Sequence, residues 1–175
     1  MSDEAAFDSA SFRRALGCFP TGVALITATD ETGNAVGLTC NSFSSVSLEP
    51  PLVLWSLRLE SRLLPTFLKA ESYAINVLAE DQQHLSARFA SRDIADKFDG
   101  VPYSRGIAGL PLIDSCIARF ECSAYTSREM GDHRVFIGKV ERFDQPRQEN
   151  ALVFQRGGYK ALSLSLKGSE SPGLR

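Results

Sequence analysis

Gly37-Leu38-Thr39-Cys40-Asn41-Ser42-Phe43-Ser44-Ser45-Val46-Ser47-Leu48-Glu49-Pro50-Pro51 crowds hydroxyls and one amide into an extended segment and then stops at a double proline. Val46 and the run Leu52-Val53-Leu54-Trp55 that follows suit strands, so the polar residues are expected along strands rather than in a free loop. Successive strand side chains point to opposite faces, which puts Thr39, Asn41 and Phe43 on one side and Cys40, Ser42 and Ser44 on the other. Such a wall offers donors and acceptors to a planar, heteroatom-rich ligand. A Ser/Thr-rich edge strand that turns its hydroxyls to water has the same composition, so the segment alone leaves both readings open.

Upstream, Ser9 or Ser11 is expected to cap a short helix bearing Phe12, Ala15, Leu16 and Phe19 at one-face spacing, ended by Pro20. Val23 to Thr29 reads as a strand, and Asp30-Glu31-Thr32-Gly33-Asn34 as the tip of the hairpin that returns into the polar segment. Downstream, Leu52 to Leu57 is continuous and apolar, as a strand buried on both faces would be. Ser61 is expected to start a helix carrying Leu63, Leu64, Phe67 and Leu68, with Pro65 in its first turn. Tyr73 to Leu78 is a further strand. Asp81 is expected to cap a helix that buries Leu85 and Phe89, and Asp93 to Phe98 to add another turn or two.

Residues 99–115 are rich in Gly and Pro and predict an irregular crossing anchored by Leu110-Pro111-Leu112. Cys116, Ala118, Phe120, Cys122 and Ala124 alternate with Arg119, Glu121 and Ser123, a half-buried strand with the charged residues outward. Gly131-Asp132 turns the chain into a partner strand over Val135 to Phe143, and Leu152-Val153-Phe154 is a last short strand before Gly157-Gly158. Residues 1–10 read as a flexible arm, 11–165 as one domain and 166–175 as a disordered tail. Many strands with a few inserted helices predict a mostly β barrel with α additions. A doubly wound sheet is disfavoured, because strands and helices do not alternate and no Gly-rich dinucleotide fingerprint occurs.

At 175 residues the chain can bury a sizeable core, and 43% hydrophobic with 23% charged residues is ordinary globular composition. The formal charge of -2 gives no electrostatic reason to expect nucleic acid or an anionic membrane. No apolar run approaches the roughly 20 residues a membrane helix needs. The acidic start Met1-Ser2-Asp3-Glu4 is unlike a signal peptide, so a cytoplasmic location is expected. Cys18, Cys40, Cys116 and Cys122 form no Cys-x-x-Cys pair and, with only His84 and His133 present, no metal site is expected. They read as reduced, mostly buried, small apolar residues.

The polar segment also has company. With Phe19-Pro20-Thr21-Gly22-Val23, Asn76-Val77-Leu78, Arg88-Phe89-Ala90, Asp96-Lys97-Phe98, Gly131-Asp132-His133 and Arg156-Gly157-Gly158-Tyr159, it resembles the flavin reductase-like family over about Phe12 to Leu162. These are the reductase components of two-component flavin-dependent monooxygenases. The resemblance implies a homodimeric, FMN-binding split β-barrel with flavin near the subunit interface. It implies hydride transfer from NADH, or NADPH, to FMN or FAD, and diffusion of reduced flavin to a separate monooxygenase. NADH is favoured, since no extra arginine cluster for a 2′-phosphate stands out.

By the same resemblance, Thr39, Asn41, Ser42, Ser44, Ser45, Ser56 and Leu57 line the flavin ring and ribityl chain. Arg62, Arg88 with Phe89, and Lys97 are the phosphate candidates, where a charge-assisted hydrogen bond is the chemistry required. Relatives often carry Ser or Thr where this chain has Leu63, so Ser61 or Arg62 would have to substitute. His133 is implied to lie by the nicotinamide and Tyr159 near the nucleotide, although Gly131-Asp132 is also plain turn chemistry. No general acid or base is called for, because the cofactor carries the chemistry and the protein supplies position. A flavin-binding protein without turnover is the alternative, separated by whether NADH bleaches the flavin without oxygen. A pyridoxamine phosphate oxidase is a remoter one, for want of a second cationic cluster.

Overall fold

The computed structural model describes residues 7–162. Its elements in chain order are α1 (Ser9–Leu16), β1 (Thr21–Gly22), β2 (Ala24–Thr29), β3 (Ala35–Cys40), β4 (Ser44–Leu48), β5 (Pro51–Arg58), α2 (Leu64–Lys69), β6 (Ser72–Val77), a 3₁₀ turn (Glu80–Gln82), α3 (Gln83–Ala90), β7 (Tyr103–Arg105), a second 3₁₀ turn (Ile107–Gly109), β8 (Pro111–Ile113), β9 (Ala118–Met130), β10 (His133–Asp144), β11 (Val153–Gln155) and β12 (Gly158–Lys160). The main sheet has seven antiparallel strands in the order β3-β2-β6-β9-β10-β5-β4. A three-stranded sheet β1-β11-β12 and the hairpin β7-β8 flank it. The mostly β expectation with α additions is met. The sheet's two edges, β3 and β4, are consecutive in the chain, and only the corner 41–43 joins them.

The β2–β3 hairpin forms where the sequence asks for it. The Asp30 carboxylate accepts from the Thr32 and Asn34 N–H groups, both at 2.9 Å, and Gly33 takes the left-handed turn position at φ 85°. β2 then divides the core. Ala24, Ile26 and Ala28 enter one cluster with Trp55, Phe67, Tyr73 and Phe136, while Val23 and Leu25 enter another with Leu78, Leu85, Phe89, Phe98 and Ile113. Trp55 stacks on Phe136 with centroids 4.5 Å apart, and Phe67 and Tyr73 meet its edge. Strands buried on both faces are therefore β2 and β6. In β5 only Val53, Trp55 and Leu57 are buried, while Leu52, Leu54 and Ser56, on the opposite face, are half-buried.

Other local expectations are corrected. The α1 cap is Asp8, whose carboxylate accepts from Ala10 N at 3.0 Å and Ser11 N at 3.1 Å. The apolar face of α1 is not covered: Phe12, Leu16 and the following Phe19 are 50%, 59% and 75% exposed. Asp81 does not cap α3 but pairs with Arg147 at 3.0 Å; α3 has no side-chain N-cap, and Gln82 accepts from Ala79 N at the start of the 3₁₀ turn. Residues 93–98 contain no helical turn. Glu121 points inward, accepting from the Ile107 N–H, because the 99–115 crossing covers that face of β9. The crossing is less irregular than expected, since it contains β7 and β8, and Leu110 and Leu112 do anchor it. Cys40, Cys116 and Cys122 are buried thiols whose pKa burial raises, whereas Cys18 is exposed. The tail from 166 on lies outside the described residues.

Candidate functional site

Where β3 and its corner meet the end of β5, a cleft of about 670 Å³ opens. Its floor is β3, which carries Thr39 and Cys40, and the corner residues Asn41 and Ser42. Its far wall is the end of β5 with Ser56, Leu57 and Arg58, the loop to Ser61, Arg62 and Leu63, and His133 at the start of β10. The near wall is Phe89 at the end of α3 and the segment 90–98. Gly37 lets these parts meet: a Cβ there would stand 2.9 Å from the Phe89 ring and 3.2 Å from the Ile26 carbonyl.

Ser42 staples the corner to β5. Its hydroxyl accepts from the Ser56 N–H at 2.8 Å and lies 3.0 Å from the Cys40 thiol. The strand-like alternation predicted across 39–44 thus breaks at the corner, because Ser42 reaches over to β5. Asn41 is exposed in the cleft, and Ser56 is half-buried there. Thr39 donates to the Ser86 carbonyl at 2.6 Å, and Tyr159 donates to the Ser86 hydroxyl at 2.8 Å. Tyr159 is therefore linked to the floor through Ser86 and does not itself line the cleft.

Of the residues singled out in the sequence, Thr39, Asn41, Ser42, Ser56, Leu57, Arg62, Phe89, Lys97 and His133 line the cleft. Ser44 and Ser45 lie along β4, opposite Leu54 and Val53, and Arg88 sits behind the near wall. Sequence reasoning missed Arg58 and Arg92. Arg58 is the cross-strand partner of His133, a register visible only once β5 and β10 are paired. Arg92 follows α3 in a polar break, Ser91-Arg92-Asp93, whose direction depends on the fold.

The cleft is cationic. Arg58, Arg62, Arg92 and Lys97 line it against Glu60 and Asp96. Asp96 is already engaged, accepting from Phe98 N at 2.9 Å and Asp99 N at 3.2 Å. Among the described residues Arg62, Arg92 and Lys97 form no ion pair within 4.0 Å. Lys97 is half-buried, donates to the Phe89 carbonyl at 2.6 Å, and burial pulls its pKa below the ordinary lysine value. A partly desolvated ammonium without a carboxylate is a place where an anion is favoured.

His133 is paired at 2.7 Å through Nδ1 with the Asp132 carboxylate, which leaves Nε2 as its unengaged nitrogen. The His133 bond, and more weakly Arg58 at 4.0 Å, hold the Asp132 carboxyl below its usual pKa. The turn thus fixes the imidazole at the cleft edge.

The family model described as "Flavin reductase like domain" matches residues 16–163. The chain is 42% identical over 165 residues to the stachydrine N-demethylase reductase subunit Stc3 of Rhizobium meliloti, covering 94% of this chain and 71% of that one. It is 44% identical over 156 residues to the FMN reductase (NADH) SmoA of Agrobacterium fabrum, covering 89% and 87% respectively. Among solved structures, the NADH:FAD oxidoreductase SgcE6 of Streptomyces globisporus, in complex with NAD and FAD fragments, superposes with a TM-score of 0.85 at 32% identity, covering 91% of this chain and 96% of that one. Two further matches are to longer chains, of which this one spans 54% and 53%.

Proposed function

Because the chain belongs to the flavin reductase like domain family and is an oxidoreductase of the flavin reductase kind, we propose that it passes a hydride from NADH to FMN or FAD bound in the β3/β5 cleft and that the reduced flavin serves a separate flavin-dependent monooxygenase. The observation that carries this reading is one cleft lined both by the unengaged side chains of Asn41 and Ser56 and by a half-buried Lys97 with no carboxylate partner among the described residues. That set fits a ligand with a polar planar ring at one end and a phosphate at the other. Bound flavin would supply the two-electron acceptor.

The chain's own part is positional. Thr39, Asn41, Ser42, Ser56 and Leu57 are proposed to shape the ring and ribityl site, with Ser42 fixing the corner through Ser56. Lys97, with Arg62, is proposed to receive the phosphate, and Phe89 to close the wall behind it. His133, oriented by Asp132, is proposed to place the nicotinamide against the ring, which is worth more to this reaction than a proton donor. Tyr159 is proposed to stiffen the floor on the nucleotide side through Ser86. NADH is proposed over NADPH because both the Agrobacterium relative and the Streptomyces structure are described with NADH, which is the support for that choice.

The direct test is anaerobic addition of NADH to protein with FMN, where bleaching of the flavin absorbance is expected and its absence would sink the proposal. His133→Asn is expected to lower kcat/KM for NADH about tenfold, equivalent to about 1.4 kcal/mol, with flavin affinity and thermal midpoint unchanged. Unaltered reduction kinetics in the folded, flavin-loaded variant would remove His133 from the site.

A homodimer is proposed on the exposed apolar surface. Phe12, Leu16 and Phe19 around α1 and Val46 and Leu48 on the edge strand β4 are all at least 47% exposed. Sedimentation equilibrium at micromolar protein should give twice the 19.1 kDa chain mass. A single 19.1 kDa species would overturn the dimer.

A further inference from the structure

Residues 91–99 contain neither helix nor strand, yet Arg92, Ile94 and Lys97 among them form the near wall of the cleft. Without a backbone ladder the segment depends on side-chain links for its place. Arg88, in the last turn of α3, supplies most of them. Its Nε donates to the Lys97 carbonyl at 2.7 Å, and one terminal nitrogen donates to the carbonyls of Asp96 at 3.1 Å and Asp99 at 2.7 Å. Lys97 returns the link by donating to the carbonyl of Phe89, one of the helix-end carbonyls without an intrahelical partner. Phe98 sets its ring edge-on to Phe89 with centroids 5.0 Å apart.

The guanidinium is thus spent on backbone carbonyls and stands behind the wall, not in the cleft. We propose that Arg88 is a positioning residue: it binds no phosphate, and it fixes 96–99 so that the Lys97 ammonium is presented to the cleft. The proposal rests on the reading of that cleft as the flavin site with Lys97 at the phosphate. It also explains why arginine is needed, since a planar fork spans three carbonyls and a lysine ammonium is a single point.

The test is a double-mutant cycle read by FMN affinity, with hydrogen exchange of residues 91–99 as the second readout. Arg88→Ala and Lys97→Met are each expected to weaken FMN about tenfold or more. The double variant is expected to be no more than about twofold weaker than the worse single one, because one residue acts through the other. Arg88→Ala is also expected to speed exchange in 91–99 while β2, β6 and β9 keep their protection. Arg88→Lys, which keeps the charge, is expected to show the same fast exchange and serves if the alanine variant does not fold.

Losses that add in the double variant would make Arg88 a separate ligand and overturn the proposal. So would unchanged exchange in 91–99 for both Arg88 variants. A different result, fast exchange in 91–99 with FMN affinity intact in both single variants, would leave Arg88 as the fastener of that wall and refute the placing of the flavin phosphate at Lys97.

Discussion

Asn76→Ala is expected to lower the free energy of unfolding by about 3–5 kcal/mol, the sum of two or more buried groups left without partners at about 1–3 kcal/mol each. Asn76 is fully buried in β6 and uses both ends of its amide. Nδ2 donates to the Leu25 carbonyl at 3.1 Å and to the Thr27 hydroxyl at 3.0 Å, both on β2. Oδ1 accepts from the Ile113 N–H at 2.9 Å, on β8. One side chain therefore ties the main sheet to the crossing that covers it. Alanine leaves the Ile113 N–H buried and unpaired and strips a partner from Thr27, whose hydroxyl keeps only its bond to the Pro111 carbonyl. Urea unfolding should show the midpoint falling with an unchanged slope. A loss under about 1 kcal/mol would mean that the crossing is held by its apolar anchors and the amide contributes little.

Asn76 also illustrates how far the sequence reaches. The strand Tyr73 to Leu78 was legible because its residue types and turn signals are local. The polar atom inside it had no visible partner, since that partner arrives 37 residues later. The same boundary runs through the site. The corner Asn41-Ser42 and the turn Gly131-Asp132 could be read as features, because hydroxyl-rich extension and turn chemistry are properties of neighbours in the chain. Arg58 and Arg92 could not be placed, because their common cleft exists only after β5 meets β10 and α3 meets β3.

Two errors have a shared cause. Residues 93–98 read as helical by composition, but the carbonyls of Asp96 and Lys97 are taken by the Arg88 side chain, and Lys97 reaches back to α3. Glu121 fitted the outward side of an alternating strand, and the sequence does not reveal that the 106–110 loop closes over it. A Cβ at Gly106 would stand 2.1 Å from the Glu121 carboxylate, so the absence of a side chain there is what admits the charge. Periodicity tells which side chains share a face. It does not tell what later covers that face.

Lys97→Met is the second large effect and the sharper trial of the site. A charge-assisted hydrogen bond contributes about 1.5–3 kcal/mol, so the FMN dissociation constant should rise by roughly tenfold to about 150-fold. Riboflavin, which has the same ring and ribityl chain without the phosphate, should bind both proteins alike. The pH dependence follows in sign from the half-buried ammonium. Burial lowers the Lys97 pKa in the ligand-free protein, and an anion beside it favours the protonated form. FMN affinity should therefore decline as pH rises through that lowered pKa, earlier than an ordinary exposed lysine would allow. The decline attributable to Lys97 should be absent in Lys97→Met and absent for riboflavin in either protein. Methionine keeps most of the stem's apolar contact, so a general loosening of the wall would show instead as an equal loss for both flavins. Equal losses, or an FMN affinity that does not change at all, would place the phosphate elsewhere in the cleft, with Arg58, Arg62 and Arg92 as the remaining cations that line it.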